Sequence, residues 1–333
     1  SIIVLLSSLG GLLWAFDDNP ASKPSEAKPP ESAAKAPSPN TPDEPLAEKF
    51  SAQKAAEFLD GVSLAWTRER KCGTCHTNYA YMIARPALGG TDSPAAREIR
   101  NFFEDRAANW DTAKPRWDAE VVATAVTLAM NDAETTGKLN PITRQALDRM
   151  WTLQREDGSW DWLKCDWPPL ESDDYYGVVF TALGVGLAPD GYAETSAAEA
   201  GLEKMRGYLK LNAAPSLHHR LFLLWASIKT PGLMSKEEQG MTVKELLALE
   251  RPDGGWSLPS LGDWKRRDGS PNDHAGAPSD GYATGLVIYV LRQAGIPSDH
   301  DSIGRGIAWL KSNQRESGRW FTRSVNNDKY HFI

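Results

Sequence analysis

Cysteine is scarce: three among 333 residues. That is too few for a disulfide-stapled scaffold, and an odd number cannot all pair within the chain. Positive charge is also short. Lys and Arg number 37 against 44 Asp and Glu, a net charge of −7, which argues against nucleic acid as a partner because such binders carry a basic face. No apolar run reaches the ~20 residues of a bilayer-spanning helix. What the chain has in excess is tryptophan, 13 residues, within an ordinary balance of 41% hydrophobic and 24% charged residues. The length suffices for one large domain or two small ones once an unstructured tail is set aside.

The chain opens on Ser1 rather than methionine, which points to a piece of a longer protein. Residues 1–16, with the apolar run Ile2 to Phe16, have the length of a signal-peptide h-region, and Ala15 stands near a cleavage point. The alternative is the remnant of a membrane anchor. Either reading exports the protein, to the periplasm or to a membrane facing it, with membrane association through this segment. Residues 17–47 are rich in Pro, Ala, Ser, Lys and Glu and cannot bury enough apolar surface to offset their ordering entropy. A disordered, extended linker is expected there.

The tryptophans are repetitive. Gln154, Gly158 and Trp160 share one spacing with Glu250, Gly254 and Trp256 and with Gln314, Gly318 and Trp320. An amphipathic helical pattern precedes each: ITRQALDRMWTLQ, TVKELLALE and SIGRGIAWLKSNQ. Apolar helices follow the first two, so the unit is helix, glycine turn, tryptophan, loop, helix. The glycine suits a left-handed exit from the helix. The indole can then fold back so that its N–H meets a free carbonyl at the helix end. With the helical pairs that lack the turn, hairpins recur roughly every 45–50 residues, within the range of helical arrays.

These turns resemble the QW motif of squalene-hopene cyclases and their relatives, which share an α/α toroid with protein prenyltransferase β subunits. The resemblance covers roughly residues 50–333. It implies an all-α domain over 48–333, with inner helices in a ring, outer helices around them and aromatics in the bore. Five hairpins and a sixth outer helix are expected. The chain ends at Tyr330-His331-Phe332-Ile333, where the sixth inner helix should begin, which points to truncation.

The template applied to residues 69–75 puts Gly73 four after Glu69 and Cys75 at the tryptophan position. His76 follows, giving Cys72-x-x-Cys75-His76, the attachment signature of c-type haem: two thioethers to the vinyl groups and an adjacent histidine as axial iron ligand. Haem c assembly outside the cytoplasm agrees with an exported N-terminus. The segment KCGTCHTNYAYMIARPAL is similar to bacterial toroid proteins that carry this motif in this place. Two other readings stay open, a zinc site completed by Cys165 and a rim histidine, and a redox dithiol or disulfide. Ring closure would bring His331 toward the motif as a second axial ligand, with Met82 the weaker candidate.

Inner-helix N-termini should gather at one rim. Asp118 and Asp280 read as helix caps, and His218 and His219 as rim residues. Glu171, Asp173 and Asp174 are three carboxylates within four residues, so mutual repulsion should raise at least one pKa. The cluster resembles the D-x-D-D motif of class II terpene cyclases, which implies Asp173 as the acid with Glu171 and Asp174 beside it, although those enzymes place the site between two barrels. The loop with Trp160, Trp162, Cys165 and Trp167 reads as a packed cap rather than a lid. Two functions follow: a haem protein for electron transfer or redox chemistry on an apolar ligand, with a redox partner protein, or an isoprenoid cyclase-like enzyme. A scaffold toroid is the third.

Overall fold

In the computed structural model the described residues are 38–165 and 167–327. The Ile2–Phe16 segment, residues 17–37 and His331 lie outside them. Among the described residues the chain is all-α, with eleven α-helices, three short 3-10 turns and no strand. In chain order these are α1 (Ala52–Arg70), α2 (Asn78–Ala84), α3 (Pro94–Ala108), α4 (Asp118–Thr135), α5 (Pro141–Thr152) and α6 (Asp174–Leu187). Then come α7 (Ser196–Leu211), α8 (Leu217–Lys229), α9 (Lys236–Ala248), α10 (Gly281–Gln293) and α11 (Asp301–Ser312).

Burial divides the helices by parity. Every residue of α4 from Ala119 to Asp132 is buried, and α6, α8 and α10 are covered almost as fully. Helices that are apolar all round must sit inside, and these pack in the order α2, α4, α6, α8, α10. The odd-numbered helices bury one stripe each: Thr143, Ala146, Leu147 and Met150 on α5, and Ser302, Ile303, Gly306 and Leu310 on α11. Ser51, Ser93, Asn140, Thr195 and Ser235 cap the starts of outer helices by accepting a backbone N–H.

The three tryptophan turns share one construction. Trp160, Trp256 and Trp320 each donate the indole N–H to a carbonyl ten residues back, on Met150 (3.0 Å), Leu246 (2.7 Å) and Leu310 (2.7 Å). The glycines are left-handed, with φ of 91, 86 and 94°, but they sit in a separate tight turn beyond the helix and not at its C-cap. In that turn Gly158 donates to Arg155 (3.0 Å), Gly254 to Arg251 (2.8 Å) and Gly318 to Arg315 (2.9 Å). The reason is the first motif residue, whose side chain must reach the next outer helix. The Gln154 amide donates to Gly158 (3.1 Å) and to Gly201 on α7 (3.0 Å). Glu250 achieves the same with a two-pronged pair to Arg305 on α11, at 2.6 and 2.8 Å.

The last turn meets the first helix. Gln314 accepts from the Ser51 N–H (2.7 Å) and donates to its carbonyl (2.9 Å), and Phe50 lies against Trp320 with ring centroids 6.3 Å apart. A Cβ on Gly318 would lie 2.2 Å from the Lys54 carbonyl oxygen, so only glycine permits this approach.

Residues 38–47, assigned to the linker by composition, are not loose. Arg319 donates to Glu44 (2.7 Å) and to the carbonyls of Ser38 (2.6 Å) and Pro39 (2.6 Å), Ala47 donates to Gln314 (2.8 Å), and Asn40 donates to Trp320 (3.3 Å). The linker's end is therefore earlier than 47. Polar backbone bonds and one buried guanidinium hold this strap, and neither registers in a composition argument.

Candidate functional site

Helix α1 runs on to Arg70 and exits through Lys71 in the left-handed conformation (φ 51°). The turn template therefore carries over to residues 69–75 in spacing but not in shape. Gly73 is not left-handed. It is instead a point of close approach, where a Cβ would fall 2.3 Å from the Tyr79 hydroxyl.

Asn78 holds the Cys72–Thr77 turn. Its side-chain oxygen accepts from the Thr74 N–H (2.9 Å), and its amide donates to the Cys72 carbonyl (3.0 Å) and Thr67 hydroxyl (3.1 Å). His76 is half-buried, with Nδ1 against the Thr77 hydroxyl at 3.0 Å and its ring edge-on to Trp66 at 5.2 Å. Both cysteines are unpaired and partly covered.

Cys75 forms part of the wall of a small apolar cavity of about 40 Å³. Tyr79 on α2, Tyr176 and Phe180 on α6, and Phe222 and Trp225 on α8 line it, with Leu286 on α10. Tyr176 and Phe180 stack 5.7 Å apart, and Phe222 meets Tyr176 edge-on at 5.2 Å. Leu170 also lines the cavity, one residue before Glu171, whose carbonyl accepts from the Cys165 N–H at 3.1 Å. Burial raises the Glu171 pKa, against the pull of the neighbouring Cys165 and Cys75 thiols. Burial, followed by the neighbouring Glu171 and Cys165, pushes the Cys75 thiol well up.

The acidic cluster is thus reordered. Asp173 was the expected acid. Burial does act to raise it, but the His219 ring at 3.1 Å and the N–H groups of Tyr176 and Tyr175 outweigh that and hold its carboxyl below the ordinary value. Asp173 is the N-cap of α6. Asp174 pairs with Arg155 (3.1 Å) and Lys164 (3.2 Å) and accepts from Trp162 (3.0 Å). The raised carboxyl is Glu171, which lies outside the helix and is lifted by burial. Asp173 is therefore not the raised carboxyl that the acid motif implied.

The other rim residues divide. His218 is fully buried, stacked on Tyr282 and bonded to its hydroxyl at 2.7 Å, and burial drives its pKa far down. Asp118 opens α4 but the N-cap is Trp117, and Glu120 takes the Arg116 N–H (2.7 Å). Asp280 is the expected cap on α10, so deep that burial lifts its pKa to about 6 despite the Ala283 and Leu258 N–H groups. A folded pKa above the unfolded 3.8 means that Asp280 favours folding below that value and loses this contribution as pH climbs through about 6. A carboxyl-carbon NMR titration should place its midpoint near 6; a midpoint near 4 would contradict the burial.

Trp160 and Trp162 are buried packing, as expected of a cap, with the Trp162 indole on the Leu170 carbonyl at 2.9 Å. Trp167 instead lies under the Arg267 guanidinium. Met82 is buried at the far end of α2. The neighbour that sequence reasoning missed is Glu171, beside the Cys75 and Cys165 thiols; of these, only Cys165 was read toward the motif, as a zinc ligand.

The donor set fits a covalently attached haem: two free thiols three apart, the histidine that follows them, and an aromatic cavity at one sulfur. Among the described residues no group of three or more His, Cys, Asp or Glu that could hold a metal ion occurs. No family model matches this chain, and no curated protein matches it.

Proposed function

We propose that this protein is an exported c-type haem protein carried on an α/α toroid, working in electron transfer or in haem-dependent redox chemistry on an apolar ligand. The toroid reading is supported by the two layers of helices and by the last tryptophan turn seated on α1. One observation carries the functional reading. The unpaired Cys72 and Cys75, followed by His76, lie on a turn fixed by Asn78 beside an aromatic cavity.

When bound, haem supplies one-electron chemistry that no side chain offers. The chain supplies the rest. Cys72 and Cys75 form the thioethers. His76 is the iron ligand, its ring oriented through Nδ1 by Thr77, as ligating histidines are oriented through their second nitrogen. Tyr79, Tyr176, Phe180 and Phe222 give the site an apolar, water-excluding wall, in keeping with an apolar ligand. A redox partner protein would meet the rim that carries the motif.

The test is expression with c-type maturation machinery. The purified chain should show a Soret band and the mass of one haem retained in denaturant. Cys72→Ala and Cys75→Ala should each weaken retention, and the double substitution should abolish it. An unmodified mass without a Soret band overturns the reading.

A further inference from the structure

Asp173, excluded as the raised acid, belongs to a different arrangement. Its Oδ1 accepts the Tyr176 N–H at 3.0 Å, and its Oδ2 meets His219 Nε2 at 3.1 Å. The other nitrogen of that ring, Nδ1, lies 2.8 Å from the Ser216 hydroxyl. Ser216, His219 and Asp173 thus form a continuous hydrogen-bonded row between two inner helices. The first two residues open α8, and the third is the N-cap of α6. His219 is buried and Ser216 half-buried, so the serine is the accessible end of the row.

The row has a direction. Burial acts to raise the Asp173 pKa, but the His219 ring and the backbone N–H groups of α6 hold it lowered, so the carboxyl stays charged and can only accept. In the neutral His219 ring Nε2 therefore carries the proton, Nδ1 is bare, and the Ser216 O–H donates to it. Ser216 Oγ also accepts the His219 backbone N–H at 3.4 Å, as the N-cap of α8. That contact uses a lone pair and leaves the hydroxyl proton to the ring.

A serine whose proton already points at an imidazole, itself oriented by a carboxylate, is an activated nucleophile. Beside it, the Leu217 and His218 N–H groups in the first turn of α8 have no acceptor among the described residues. The helix itself cannot fill such groups, and the N–H that follows a nucleophilic serine is placed to meet the oxyanion of an attacked carbonyl. Tyr175 lies edge-on to His219 at 5.7 Å and meets the half-buried Tyr208 at 6.4 Å, which gives the site an aromatic flank.

We propose that Ser216, His219 and Asp173 form an ester-hydrolysing site at the start of α8 that takes aryl esters. Ser216 Oγ bonds to the acyl carbon while its proton passes to His219 Nδ1. The tetrahedral intermediate then breaks its bond to the aryl oxygen, which takes that proton from Nδ1. Water next attacks the acyl-serine and gives a proton to Nδ1; as the bond to Oγ breaks, Ser216 recovers it and the carboxylic acid leaves. Asp173 holds the ring and keeps its charge throughout. None of these steps draws on the Cys72–His76 turn, so the site stands or falls apart from the haem reading.

The test treats the full chain with a fluorophosphonate and, separately, with p-nitrophenyl acetate. Serine attack on the phosphonate displaces fluoride, so one phosphonate should be found by peptide mass on Ser216. Nitrophenolate release should fall about a hundredfold in Ser216→Asn and in Asp173→Asn, the scale of losing the attacking group or the orientation of its base. Asparagine caps helices as well as serine or aspartate does, so both variants should match the parent by circular dichroism. A row that only caps α8 and α6 leaves Ser216 unlabelled and the variants as fast as the parent. Either result overturns the proposal, and the labelling of the parent decides it even where a variant fails to fold.

Discussion

Replacing Trp320 with alanine should cost about 3–5 kcal/mol of unfolding free energy, the range for truncating a large buried aromatic. Trp320 is 2% exposed, its indole N–H closes the end of α11 on Leu310 at 2.7 Å, and its ring meets Phe50. Removing it leaves a cavity and an open carbonyl where the last turn meets the first helix. The denaturant midpoint should fall with little change in slope. Amide exchange should rise together in α1, in α11 and in residues 38–47, since all three converge on this turn. Trp256→Ala, which cuts an equivalent indole contact on Leu246, should lose similar free energy but open α9 and α11 first. If exchange in α1 is untouched by Trp320→Ala, the contact between the last tryptophan turn and α1 is not what holds the first helix.

The second large effect is expected at Arg319. Its side chain is 1% exposed and pairs at 2.7 Å with Glu44, itself 13% exposed. Arg319→Ala strands a nearly buried carboxylate and the carbonyls of Ser38 and Pro39. Breaking a buried pair from one side costs about 3–5 kcal/mol, and the shallow position of Glu44 places this one near the lower end. Residues 38–47 should become sensitive to limited proteolysis while the helices stay protected. Burial acts to raise the Glu44 pKa, but Ser317 and Arg319 outweigh it and leave it lowered. The pair's stabilisation is therefore present above the ordinary 4.5 and fades as pH falls through the depressed folded value. The difference between parent and variant should shrink in acid. A variant whose strap resists protease as well as the parent would show that the backbone bonds of Ala47 and Glu316 suffice.

The helices and their sorting into covered and half-covered sets were readable in the chain. A helix that lies inside must be apolar on every face, as α4 is, and one on the outside needs only a stripe, as α5 shows. The three tryptophan turns were equally readable, because an indole six residues after a fixed starting position has few places to go except back onto its own helix. Less was readable where one residue type serves two ends. Glycine at position 73 keeps the repeat's spacing yet answers the Tyr79 ring rather than a left-handed turn. Position 173 matched an acid motif, but the His219 ring facing it comes from α8, and that contact reverses the expected direction of its pKa.

Residue order alone therefore conveys an all-helical chain, the periodic turns and a C-x-x-C-H site, since each depends on neighbours within a few turns of the backbone. Packing decided the rest. It brought Glu171 beside two thiols, faced Asp173 with the His219 ring and bound residues 38–47 to the final turn. Such pairings join positions far apart in the chain, and both burial and Coulomb energies depend on distances in space, which local patterns do not encode.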